Sequence, residues 1–156
     1  MKIAARKKLR SIIYSRKGPD VSVGAEDDLR GELSRLRERL PDMTGALVAT
    51  VDGLLIVHDT AGLQAETLAA MSAAQLGLGR QFAITTGQGY FEESVTRSDS
   101  GYIAVFAAGR EALLTVLATT HLNLGRLYHE ARPVAARIGA LLAPPDVASP
   151  SRQGGA

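Results

Sequence analysis

With 156 residues, 46% of them apolar and 22% charged, the chain has the size and composition that one hydrophobic core organises, which excludes wholesale disorder and argues against two domains. It contains no cysteine, so neither a disulfide framework nor a thiolate metal site is available, and the reducing cytoplasm is the expected compartment. The net charge of +2 hides a division: residues 1–19 carry Lys2, Arg6, Lys7, Lys8, Arg10, Arg16 and Lys17 without one acid, whereas residues 20–156 hold eleven basic side chains against sixteen acidic ones, a net −5.

In the basic segment, Ala5, Leu9, Ile12 and Ile13 fall on one helical face with the positive charges around them. At ~1 kcal/mol per basic residue near an anionic leaflet, the segment is expected to contact an anionic membrane surface reversibly. One aromatic, Tyr14, and no groove-reading motif make sequence-specific nucleic-acid binding an expectation to discard. Ile12-Ile13-Tyr14 is too short for the apolar region of a secretory signal, and no apolar run reaches the ~18 residues of a membrane-spanning helix. Gly18-Pro19 and the polar run after it close a tail of residues 1–25.

Leu29, Leu33, Leu36 and Leu40 then mark an amphipathic helix that Pro41 ends. Ala46 to Val51 has strand length, and Asp52-Gly53 before Leu54 to His58 predicts a hairpin with a two-residue turn. From Leu63 to about Ala83 the pattern is helical and almost apolar all round, with Leu68, Met71, Gln75, Leu78 and Phe82 in one stripe and Ala65, Ala69, Ser72, Ala73 and Leu76 in another. A helix of that kind needs cover on two sides, one from the sheet and one from a second subunit. Gln88 to Arg97 alternates weakly and reads as an edge strand; Tyr102 to Ala107, apolar on both faces, reads as a central one. Ala112 to Thr119 supplies a fifth strand, and Leu124 to Leu142 a last helix that Pro133 is expected to kink or divide. Residues 143–156, rich in Pro, Ser and Gly, are expected to be disordered, leaving a domain over 26–142.

The element order predicts an α+β fold: a five-stranded antiparallel sheet with the long middle helix on one face and the N- and C-terminal helices on the other. No catalytic, cofactor or metal site emerges. His58, His121 and His129 lack metal-ligand spacing, and Glu92-Glu93 are adjacent strand residues on opposite faces. Ser94 and Ser100 have no nucleophile turn, and neither Gly77-Leu78-Gly79 nor Gly87-Gln88-Gly89 continues into a phosphate-binding Gly-Lys-Ser/Thr. The glycines are expected at a helix end and a turn.

Leu33-x-x-Leu36 before Met43-Thr44-Gly45-Ala46, then Val51-Asp52-Gly53-Leu54, Gly77-Leu78-Gly79-Arg80, Gly101-Tyr102-Ile103-Ala104-Val105 and Asn123-Leu124-Gly125, together resemble the Roadblock dynein-light-chain family, in particular the bacterial members that accompany Ras-like GTPases. The basic tail, Pro133 and the C-terminal segment have no counterpart in that pattern. The resemblance implies a homodimer whose sheets join edge to edge and whose middle helices pack as a platform for a small GTPase. It makes the chain a non-enzymatic scaffold or regulator, with Leu68, Met71, Gln75, Leu78, Phe91, Glu93 and Val95 as candidate dimer or partner contacts. The alternative that topology leaves open is a profilin-like sensory module binding a small ligand.

Overall fold

Ser22 opens the first helix, its hydroxyl accepting from the Ala25 N–H at 3.3 Å. In this computed structural model, which describes residues 20–145, helix α1 spans Val23–Arg39, three residues ahead of the expected start. The expectations for the basic segment and for residues 146–156 lie outside the described residues. Leu29, Leu33 and Leu36 are the buried stripe of α1, while Arg37 and Arg39 sit at its negative C-terminal pole.

Strands β1 (Met43–Thr50) and β2 (Leu55–Thr60) follow, then α2 (Ala65–Thr85), β3 (Glu93–Arg97), β4 (Gly101–Ala108), β5 (Ala112–Thr119) and α3 (Leu124–Leu141). The sheet order is β2-β1-β5-β4-β3 with every neighbouring pair antiparallel, so β2 and β3 are the two edges. The predicted α+β architecture holds, because consecutive strand residues send side chains to opposite faces and each face is covered. Ala46, Val48, Phe106, Leu114 and Val116 meet Leu29, Leu33, Leu36, Leu127 and Ile138 of α1 and α3; Leu47, Ala49, Val105 and Leu113 meet Ala69 and Leu76 of α2.

Four local expectations need correction. The β1–β2 turn is not a two-residue one: Gly53 N–H bonds to Thr50 O at 2.9 Å and Thr50 N–H to Leu54 O at 2.9 Å, which makes a wider turn. Gly53 alone takes positive φ, at 87°, so the chain turns through Val51 and Asp52 in ordinary backbone and uses the glycine to rejoin β2. Gly77 and Gly79 do not end α2 but lie inside it, and the Phe91 ring occupies the space a Gly79 side chain would fill. Gln88 to Glu92 is not strand; the ladder with β4 begins at Glu93. Finally, α3 runs unbroken through Pro133. Both Pro133 and His129, whose carbonyl the proline leaves without a helical donor, are on the exposed side, where water can bond that carbonyl.

The end of α3 crosses the β4–β5 turn at a contact of two glycines. A Cβ on Gly139 would stand 2.7 Å from the Gly109 nitrogen, so only glycine permits this approach. Between α1 and α3, Glu32 is 5% exposed and is clamped by Arg35 at 2.6 Å and by Arg137 Nε at 3.0 Å. Burial by itself raises its carboxyl, but the hydrogen bonds and charges of Arg137 and Arg35 outweigh that and hold it below its ordinary value of 4.5. The folded pKa is depressed, so the clamp stabilises fully above the unfolded pKa and is lost as pH falls through the folded one. Glu32→Gln is expected to cost about 1 kcal/mol at neutral pH and to flatten the acid limb of stability below about pH 4.5, followed by denaturant melts across that range.

Candidate interaction surface

Helix α2 is thinly attached to the sheet. Its buried side chains are Ala65, Ala69, Ser72 and Leu76, of which only Leu76 is large, and Ser72 is satisfied by the Thr115 hydroxyl at 2.8 Å. On the far side, Met71 is 64% exposed, Leu78 59% and Phe82 63%. Together with Gln75 they follow at spacings of four, three and four, so they form one stripe along the helix. At ~1.5–3 kcal/mol for fully burying each such side chain from an exposed state, covering the half-exposed stripe holds a sizeable fraction of that in reserve.

The stripe looks toward the free edge of the sheet. Gln75 Nε2 donates to Ser94 Oγ at 2.6 Å and to Thr96 Oγ1 at 3.1 Å, which ties the stripe side of α2 to β3. Strand β3 pairs only with β4, so its outer row of backbone groups lacks a strand partner. An unpartnered apolar helix face and an unpartnered strand edge therefore adjoin on one side of the molecule.

The candidate contacts divide across the sheet. Met71 and Leu78 lie on the exposed stripe, and Leu68 and Gln75 are half-buried beside it. Phe91 packs against the α2 side, on the Gly79 notch, because residues before β3 do not follow the strand alternation. Glu93 and Val95 face the other way. Val95 packs on the larger core, and Glu93 receives Arg132 Nε on both carboxylate oxygens at 3.1 Å, while that guanidinium lies 4.7 Å from the Tyr128 ring centroid. This bidentate contact ties α3 to β3 and leaves Arg132 held more firmly in its charged form, chiefly by the Glu93 hydrogen bond. Two members of the surface escaped the list of candidate contacts: Phe82, which the helical stripe did include, and Tyr90, 98% exposed, which alternation alone could not place.

Groups suited to chemistry stay apart. His58 Nδ1 contacts Thr60 Oγ1 at 2.9 Å, while His121 and His129 are exposed on the β5–α3 turn and on α3. Ser94 is engaged by Gln75, and Ser100 donates to Asp99 at 3.0 Å. Among the described residues no group of three His, Cys, Asp or Glu is placed to hold a metal ion, and no helix is long and apolar enough to cross a membrane.

A family model described as "Roadblock/LC7 domain" matches residues 29–118. Among solved structures, the chain is similar to the gliding protein MglB from Thermus thermophilus, at TM-score 0.71 and 19% identity over 80% of this chain and 96% of that one. An MglB structure described as having a tetrameric arrangement gives TM-score 0.73 and 20% identity over 80% and 96% of the two chains. A Roadblock/LC7 domain from Streptomyces avermitilis gives 0.66 and 28%, over 72% and 95%. No curated protein matches the chain in sequence.

Proposed function

The chain belongs to the Roadblock/LC7 domain family, and from that premise we propose that it works as a non-enzymatic homodimer that scaffolds or regulates a small Ras-like GTPase. The observation that carries the reading is the adjacency of the Met71, Leu78 and Phe82 stripe to the unpaired edge of β3. A second copy related by a two-fold axis covers both at once, strand against strand and helix against helix. Such pairing removes an exposed edge and an apolar patch, the two features a lone soluble subunit is under pressure to avoid. The paired α2 helices then form a broad platform, and the GTPase is the partner that the family resemblance supplies for it.

In this reading Leu68, Met71, Gln75 and Leu78 contribute from α2, and Phe91, Glu93 and Val95 line the joining strand, Glu93 with its Arg132 brace. The domain takes in residues 26–142, extended to Val23 by its first helix, and the protein acts in the cytoplasm. The separation of Ser94, Ser100 and the three histidines supports a role by binding, since no nucleophile, base and charge stabiliser stand together there. Sedimentation velocity at micromolar concentration is expected to give a dimer, and the purified protein is expected to leave GTP intact. A stable monomer, or hydrolysis of GTP abolished by a surface substitution in a folded chain, would overturn the reading.

A further inference from the structure

A second surface lies on the opposite face of the sheet, where the start of α1, the β1–β2 turn and the end of α3 enclose a hollow of about 510 Å³. Its floor is apolar, formed by Val21, Ala25, Ile56, Ala112, Leu141 and Leu142, and its charged lining consists of Asp20, Asp52 and Glu111. The other hollows of the domain that contain acidic side chains carry arginine as well: Arg80 and Arg110, Arg110, Arg132, or Arg35 and Arg137. Among the described residues this one has no basic lining residue. Among the described residues, none of its three carboxylates forms a salt bridge or accepts a side-chain hydrogen bond, so their charge is available to a cationic partner.

Such a lining fits a cationic segment with an apolar face. The same chain carries one directly before the groove: Ala5, Leu9, Ile12 and Ile13 at helical spacing among seven basic residues and no acid, leading into Asp20, which itself lines the hollow. We infer that residues 1–19 dock in this groove, with Leu9, Ile12 and Ile13 over the apolar floor and the neighbouring basic side chains paired to Asp52 and Glu111. Covalent attachment gives the segment a high effective concentration at the groove, so even weak complementary contacts hold it there. The floor of the groove lies on the α1 and α3 side and only its Glu111 rim also borders the hollow of Tyr90 and Phe91, so docking leaves the Met71, Leu78 and Phe82 stripe open. It also withdraws the basic segment from any anionic membrane, which competes for the same charges.

The test uses the full chain, whose lack of cysteine makes an introduced one unique. With a nitroxide on Ile12→Cys, the amides of Ile56, Ala112, Leu141 and Ala143 are expected to lose most of their NMR intensity through proximity to the label. The same label in a chain also carrying Asp52→Asn and Glu111→Gln is expected to restore those signals. Thermal melts of the two labelled proteins are expected to coincide closely, since the neutralised carboxylates are exposed and take no part in the core of the domain. Screening at ~1 M salt, where electrostatic reach falls to ~3 Å, should act in the same direction as the substitutions. The inference is overturned if the groove amides keep their intensity, if broadening falls on the α2 and β3 surface instead, or if neutralising Asp52 and Glu111 leaves it unchanged. It is also overturned if the labelled segment becomes immobile only on adding vesicles of phosphatidylserine and phosphatidylcholine, which would make a membrane its sole ligand.

Discussion

If the proposed dimeric GTPase platform is right, replacing Met71 and Leu78 together by aspartate is expected to give a folded monomer that binds no GTPase. Both side chains are well exposed in the single subunit, at 64% and 59%, so the substitutions remove little that the subunit's own core depends on. In a two-fold dimer each substitution occurs twice, placing four carboxylates where an apolar seam is being desolvated. An unpaired buried charge carries a penalty of several kcal/mol, and a total of even ~4 kcal/mol weakens association by about a thousandfold. The variant should therefore sediment as a monomer at concentrations where the unaltered protein is expected to be dimeric. Its melting midpoint should fall only by the part that dimerisation contributes through mass action. A variant that remained dimeric with unchanged affinity would show that the stripe is not the seam.

Phe106→Ala is expected to have the largest effect on the fold itself. Phe106 is 1% exposed at the middle of β4, packs in the cluster formed with α1 and α3, and meets the Tyr128 ring edge to face at a centroid distance of 6.5 Å. Truncating a buried phenylalanine typically costs ~3–5 kcal/mol through lost transfer energy and the cavity left behind. Against a total stability on the order of 5–15 kcal/mol, that is a large fraction, visible as a lower urea midpoint with little change in slope. A cost below ~1 kcal/mol would mean that this face of the sheet collapses around the vacancy, contrary to the dense packing seen there.

The elements with strong periodicity were legible without coordinates. Leu29, Leu33 and Leu36 announce α1; the continuous apolar runs around Ala46 and Ile103 announce β1 and β4; and the two stripes of α2 are separable in the sequence, although which of them lies on the sheet is not, and the structure puts the small one there. What escaped the sequence depends on contacts it does not encode locally. Gln88 to Glu92 has the alternation of a strand, yet the ladder starts at Glu93, and Phe91 consequently turns to the α2 side rather than sharing a face with Glu93 and Val95. Gly77 and Gly79 look like punctuation, but in a helix they are tolerated at modest cost, and Gly79 is needed where the Phe91 ring lies against it. Pro133 is accommodated because the carbonyl it strands is on the wet side of α3. Glu32 and Arg137 are 105 positions apart, and the acidic lining of the α1 and α3 groove comes from three separate parts of the chain; neither grouping can be read before the fold assembles them.

The proposed dimeric platform that engages a Ras-like GTPase through α2 makes a sharp prediction for affinity capture from the native host with two baits. The unaltered protein and the Met71→Asp, Leu78→Asp variant would be presented at equal loading, and the recovered proteins identified by mass spectrometry. A Ras-like GTPase recovered with the unaltered protein and absent with the variant is the predicted result. Recovery of no GTPase, or of the same GTPase in equal amount with both baits, would contradict it.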